Sequence, residues 1–332
     1  MDREGYRQLL QTRGLSQEQI EQSIAIVEGF EAYLGGRQPA SSLERASAEE
    51  ALAYVSLLTF EGRNSFLELA AVGRYGYLCK NYPVYVAILE LLDGSEALEG
   101  MHRRVGDELG EAGQRAIFAG ITMPPLGLPN SEKASLTRTV MQRLEACAGE
   151  QALDAIFAGS FRDLQEVYYL DDKQRYADIG DFDTFLETKR QEFIAELEQI
   201  KAEGKLYFSQ EITDDVIELV RTDPEISQGV RQGNILYVTK IPYMAKEYLK
   251  ETDVDRKRYY YCHCPWARES LLQGEGPVSA TFCRCSAGFH KKPWEVIFEQ
   301  KLEADVLESV LQGDLRCRFA IYLPESVGTG KF

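Results

Sequence analysis

Five cysteines and two histidines fall between residues 262 and 317: Cys262, Cys264, Cys283, Cys285 and Cys317, with His263 and His290. The chain of 332 residues holds only seven cysteines and three histidines, so this stretch is strongly enriched. Four of the cysteines form Cys-x-Cys pairs, in YYYCHCPW and TFCRCSAGFH. In an extended segment alternate side chains share a face. Each pair would then present two sulfurs together, and two pairs could offer Zn²⁺ four thiolates at about 2.3 Å. Cys262, Cys264, Cys283 and Cys285 are the candidate zinc ligands on this reading, with Cys317, His263 and His290 in reserve. A second chemistry is nucleophilic. Cys283 lies beside Arg284 and upstream of His290, Lys291 and Lys292, and a thiol among cations ionises more readily and attacks electrophilic carbon. Cys283 and His290 are the catalytic candidates there. Cys79 and Cys147, on apolar stretches, read as ordinary packing residues.

Composition limits what these groups can serve. The chain carries 37 Lys and Arg against 53 Asp and Glu, a net charge of −16. That balance excludes general nucleic-acid binding, which needs a cationic surface. No apolar run reaches the roughly 18 residues of a membrane span. The charged N-terminus MDREGYRQLLQTRG lacks the apolar region of a signal peptide. A cytoplasmic location is expected, with cysteines reduced rather than paired as disulfides. Residues 256–332 hold 11 basic and 9 acidic residues, so the acidity belongs to the rest of the chain. The shift coincides with the cysteine cluster and suggests a boundary near 250.

The elements that must position the cluster read as mostly helical. LSQEQIEQSIAIVEGFEAYLGG (15–36) opens at Ser16, repeats apolar residues at three and four, and closes on Gly35-Gly36. Ser47 and Glu50 form a capping-box pattern. Apolar segments at 64–79, 83–93 and 95–109 complete a bundle. GITMPPLGLPNSEKAS (120–135) breaks the pattern with its prolines and glycines. Helical periodicity resumes over 136–221, most clearly in 181–205. From 250 the texture changes. RKRYYYC (256–262) suits an aromatic strand, 266–273 and 292–302 short helices, and 304–323 a hairpin turning at Gly313-Asp314. The expected fold is a mainly α N-terminal helical domain plus a C-terminal α+β module with an antiparallel sheet. Its parts are a bundle over 1–120, a helical continuation over 121–250 and a Cys/His-rich module over 251–332. Tyr261, Trp266, Arg284 and Arg318 are the candidate ligand contacts of that module. The C-terminal Gly-x-Gly-Lys (328–331) lacks Walker spacing and reads as a tail.

The order Cys264-Pro265, Phe282-Cys283, Gly313-Asp314 and Cys317-x-Phe319 resembles the cysteine-bearing domain of 2-amino-thiazoline-4-carboxylate hydrolase-like proteins. It is also similar to the related 4-vinyl reductase small-molecule-binding domains, and CHCPWARES…FCRCSAGFHKKPWE…LESVLQGDLRCRF resembles a bacterial family of uncharacterised proteins with this module. The resemblance covers roughly 256–323. It implies a domain that binds a small ligand or a metal, or one that hydrolyses the C–N bonds of a small cyclic amidine. Cys264, Cys283 and Cys317 match its pattern, whereas Cys262, Cys285 and His263 depart from it. The combined expectation is a cytoplasmic protein whose module binds zinc or another thiophilic metal together with a small-molecule ligand. The alternatives are a cysteine-dependent hydrolase of a small C–N or C–S heterocycle and a metal-stapled sensor or scaffold. No feature of the sequence fixes the oligomeric state.

Overall fold

A computed structural model describes residues 1–328; the last part of the Gly-x-Gly-Lys tail lies outside the described residues. The chain forms two compact units, residues 1–95 with 123–132, and residues 96–122 with 133–328. The first unit holds helices α1 (Arg3–Thr12), α2 (Gln17–Gly35), α3 (Ala48–Phe60), α4 (Phe66–Leu78) and α5 (Tyr82–Leu92). Reciprocal capping boxes start three of them, at Ser16–Gln19, Ser47–Glu50 and Ser65–Glu68, satisfying backbone N–H groups that no carbonyl can reach. Tyr6, Val27, Phe30, Leu58, Leu69 and Ile88 are among its buried core. Leu126 packs against this core and its carbonyl accepts from Asn64, so the unit is completed by residues beyond 120.

The second unit begins with α6 (Ala97–Ile117), kinked at Gly110, then α7 (Asn130–Cys147), whose first turn belongs to the other unit, and α8 (Glu150–Ile156). It continues through α9 (Leu170–Ile179), α10 (Phe182–Ala202), a two-stranded ribbon of β1 (Leu206–Tyr207) and β2 (Gln210–Glu211), and α11 (Asp214–Thr222). Strands β3 (Val230–Gln232) and β4 (Ile235–Thr239) precede α12 (Ala245–Lys250), α13 (Val254–Tyr261) and α14 (Arg284–Phe298). Finally β5 (Glu303–Glu308) and β6 (Arg318–Tyr322) pair as a hairpin. The antiparallel sheet runs β3-β4-β6-β5. A mainly α chain with a C-terminal antiparallel sheet is therefore observed. The sheet nevertheless spans the expected boundary at 250, because β3 and β4 lie before it.

One expected strand is a helix. The tyrosine-rich run belongs to α13, which Asp253 caps by accepting from the Arg256 N–H and which an Asp255–Arg258 pair reinforces. Local capping and ion pairing outweigh the β preference of tyrosine.

Sheet alternation sorts β4 and β6 into two faces. Val238 opposes Phe319 and Leu236 opposes Ile321 on the face packed beneath α14, where Trp294 and Ile297 join Leu236, Val238 and Ile321 in one buried cluster. Tyr237, Thr239 and Arg318 lie on the other face. There Arg318 donates to both oxygens of Glu225, at 2.6 and 2.7 Å, and Thr239 donates to the same carboxylate at 3.0 Å. The Arg318 hydrogen bonds hold the Glu225 carboxyl below its ordinary range.

Two predictions follow from this packing. A Cβ on Gly288 would stand 2.3 Å from the Gly159 carbonyl carbon. Gly288→Ala should thus lose about 1–3 kcal/mol by overpacking, although alanine favours an open helix by about 1 kcal/mol. Urea unfolding of the variant checks the sign. Because the folded pKa of Glu225 is depressed, the pair's contribution is present above the unfolded carboxylate value of about 4.3 and is lost as pH falls through the folded value. Arg318→Met should cost about 1.5–3 kcal/mol at neutral pH, and its gap to the wild type should close in acid unfolding curves.

Candidate functional site

The cysteine cluster lies at the end of the layer formed by β4, β6 and α14. The β4–β6 register continues past its last pair, Thr239 with Arg318, into a hydrogen bond from the Lys240 N–H to the Cys317 carbonyl at 3.1 Å. Opposed residues of antiparallel strands share a face, so Lys240 and Cys317 extend the row of Val238 and Phe319 under α14. His290 stacks on Phe319, with ring centroids 5.0 Å apart. One turn earlier on α14, Ser286 accepts from Lys240 Nζ at 3.1 Å.

The chain after β4 folds against the end of α13 and brings in the other wall. Tyr243 and Met244 N–H groups donate to the Tyr261 and Tyr260 carbonyls, and the Tyr261 hydroxyl donates to the Lys240 carbonyl. His263 Nε2 meets the Ile241 carbonyl at 2.6 Å, which requires the proton on that nitrogen. Cys262 and Cys264 flank it.

Cys283 caps the start of α14, and its sulfur lies 3.0 Å from the Ser309 hydroxyl in the loop before β6. Cys285 stands in the first turn of the same helix and turns to a different surround. Its sulfur accepts from the Phe161 N–H at 3.2 Å and faces the Ser160 hydroxyl at 3.8 Å. Residues two apart on a helix do not share a face. The CRC pair is therefore split by helical geometry, where an extended chain would have kept it together. Among the described residues, no three His, Cys, Asp or Glu side chains form a ready metal-holding group.

The groups are still close enough to influence one another. Cys283 feels Cys317, Cys262 and Cys264; Cys264 feels Cys262 and Cys285; Cys317 feels Cys262. Burial is the largest influence on each and pushes all five thiols up, Cys317 to about 11. Burial also pushes His290 down to about 3 and His263 well below its ordinary value. At neutral pH the thiols and both imidazoles are uncharged. Lys240 lies among them, felt by Cys262, Cys264, Cys317, His263 and His290.

The cluster is enclosed but not sealed. Cys264, Cys283, Cys285, His263, His290, Lys240 and Ser286 are half-buried, whereas Cys262 and Cys317 are buried. These side chains are largely desolvated, and the half-buried ones retain some accessible surface. The depressions along α10, lined by residues such as Asp183, Glu187 and Glu192, are solvated helix surface without comparable chemistry.

The remaining candidates take structural positions. Arg284 pairs with Glu150 and Asp154 of α8, both at 2.7 Å. Arg318 is engaged by Glu225 on the opposite face of the sheet, and Tyr261 and Trp266 are buried. Cys283 and His290 are seven residues apart on α14, about 10 Å along its axis. His290 Nε2 is buried and has no hydrogen-bond partner, so the pair does not form a hydrogen-bonded couple. Lys240, Ser286 and Ser309 were not among the residues expected from sequence. Lys240 follows an apolar β-run whose alternation puts it on the face of Leu236 and Val238, the one signal that could have singled it out.

The chain matches no family model, no curated protein and no solved structure. Its thiols should separate by exposure. Cys147 is exposed and should react first with an aromatic disulfide reagent at pH 8, the half-buried Cys264, Cys283 and Cys285 more slowly, and the buried Cys262 and Cys317 only when denaturant is added. Equal rates for all seven, followed spectrophotometrically, would contradict this burial.

Proposed function

We propose that the cysteine-rich end of the second unit is a binding recess for a small molecule. The observation that carries this is the half-buried set of Cys264, Cys283, His263, His290, Lys240 and Ser286, polar groups at the end of an apolar layer. Uncharged thiols and imidazoles suit a ligand that is itself removed from water, since they hydrogen-bond without bringing a desolvated charge. A nucleophilic role for Cys283 would need its thiol to ionise against burial and a base other than His290. Native iodoacetamide labelling, mapped by mass spectrometry, tests the recess. Cys264 and Cys283 should label ahead of Cys262 and Cys317. Labelling of all four only after unfolding means a closed core and ends the proposal.

A second reading is a thiophilic metal, with Zn²⁺ the first candidate, favoured by the mutual influence of the Cys262, Cys264, Cys283 and Cys317 thiols. Cys262, Cys264, Cys283 and Cys317 are the nearest set, and binding would rotate their side chains inward and displace their protons. Titration with Cd²⁺ under reducing conditions should give a sulfur-to-metal absorption band saturating at one equivalent. The band should fall in the Cys264→Ser and Cys283→Ser variants. If no band forms in the folded protein, the metal reading fails and the small-molecule reading is unaffected.

A further inference from the structure

We propose that the recess recognises a small oxyanion, a carboxylate or phosphate group, through Lys240, Ser286 and His290. This rests on the recess being open to solutes. Among the described residues, the Lys240 ammonium has a single hydrogen-bond partner, the neutral Ser286 hydroxyl, and no ion pair. Most other cations of this unit are matched: Arg318 by Glu225, Arg316 by Glu308, Arg284 by Glu150 and Asp154. The carboxylates felt by the neighbouring thiols Cys262 and Cys317, Glu269 and Asp314, are engaged elsewhere. Glu269 accepts from the Tyr259 hydroxyl, and Asp314 from the Ser309 N–H.

A half-enclosed ammonium without an anion is costly. The arrangement around it completes an oxyanion receptor. Ser286 accepts from Lys240 and keeps its own O–H free to donate. His290 lies four residues on, so it projects from the same face of α14. Its Nε2 is buried and unpartnered, and in the tautomer with hydrogen there it is a third donor. Ammonium and hydroxyl are in contact, the Lys240 charge is felt at His290, and the four-residue spacing sets the imidazole on the helix face of Ser286. Ser286 also sits in the first turn of a fifteen-residue helix, where the dipole favours negative charge.

The scarcity of histidine supplies the readout. With three histidines in the chain, ring resonances can be followed individually by NMR while sodium acetate or sodium phosphate replaces chloride at constant ionic strength. The His290 signals should shift saturably and those of His102 should not, and the stronger of the two anions identifies the group recognised. Lys240→Met should weaken the response at least tenfold, Ser286→Ala severalfold, and Lys240→Arg should retain most of it. A His290 signal that ignores both anions, or that shifts equally in Lys240→Met and wild type, overturns the proposal. Should Lys240→Met fail to fold, the contrast between Ser286→Ala and wild type decides. Iodoacetamide labelling of the same sample separates the two claims. Reactive Cys264 and Cys283 with a silent His290 leave the recess standing without its anion, whereas unreactive thiols remove both.

Discussion

The position of α14 depends on a contact only glycine permits. Gly288 brings the helix so close to the Gly159–Ser160 backbone that an added Cβ would lie 2.3 to 2.6 Å from it. The loop it meets is itself held by Arg104, which donates to the carbonyls of Ile156, Gly159 and Ser160. With the helix pinned on that side and laid on β6 on the other, its side chains have fixed destinations. Cys285 is set against the Phe161 N–H, Ser286 at Lys240, His290 over Phe319 and Cys283 beside Ser309. A single close approach thus distributes four of the clustered polar groups.

The same helix sets two electrostatic effects against each other. Cys283 and Cys285 stand at its N-terminus, where the dipole stabilises a thiolate. Cys285 also has an N–H donor and the influence of Arg104 and Arg162. Desolvation is nevertheless the largest cause of its shift and raises its pKa. Loss of bulk hydration outweighs a partial helix charge and one hydrogen bond, so the resting cluster is neutral. Chemistry at these sulfurs therefore waits on something that supplies or attracts charge.

The helical character of the chain was legible because caps and apolar spacing are local. Ser16, Ser47 and the Gly313-Asp314 turn are read correctly from a few adjacent residues. The tyrosine run misled because side-chain preference is weaker than the Asp253 cap that starts α13. The cysteines were legible as a cluster but not as a geometry. Whether Cys283 and Cys285 share a face depends on strand or helix, and the helix divides them. The break at 120–135 was visible, yet not that Leu126 within it returns to the first core. Such long-range packing has no local signature. Lys240 went unnoticed for a related reason, since its meaning comes from partners 46 and 77 residues away.

Two cations at the β4–β6 junction show why that lysine matters. Arg318 and Lys240 occupy neighbouring rungs, so alternation sends them to opposite faces of the sheet. On the outer face Arg318 has Glu225, Thr239 beside the same carboxylate and the Tyr237 ring 4.6 Å from its guanidinium carbon. Its Nε and Nη2 fork onto one carboxylate and a ring covers its face, as in a structural ion pair. On the inner face Lys240 has one neutral hydroxyl, the uncharged thiols of Cys262, Cys264 and Cys317 within its influence and an imidazole nitrogen with no partner. A leucine at 240 would continue the row of Leu236 and Val238 and would remove the cost of desolvating a charge. The ammonium there is a departure from consistent packing, and it is this departure on which the proposed oxyanion site rests.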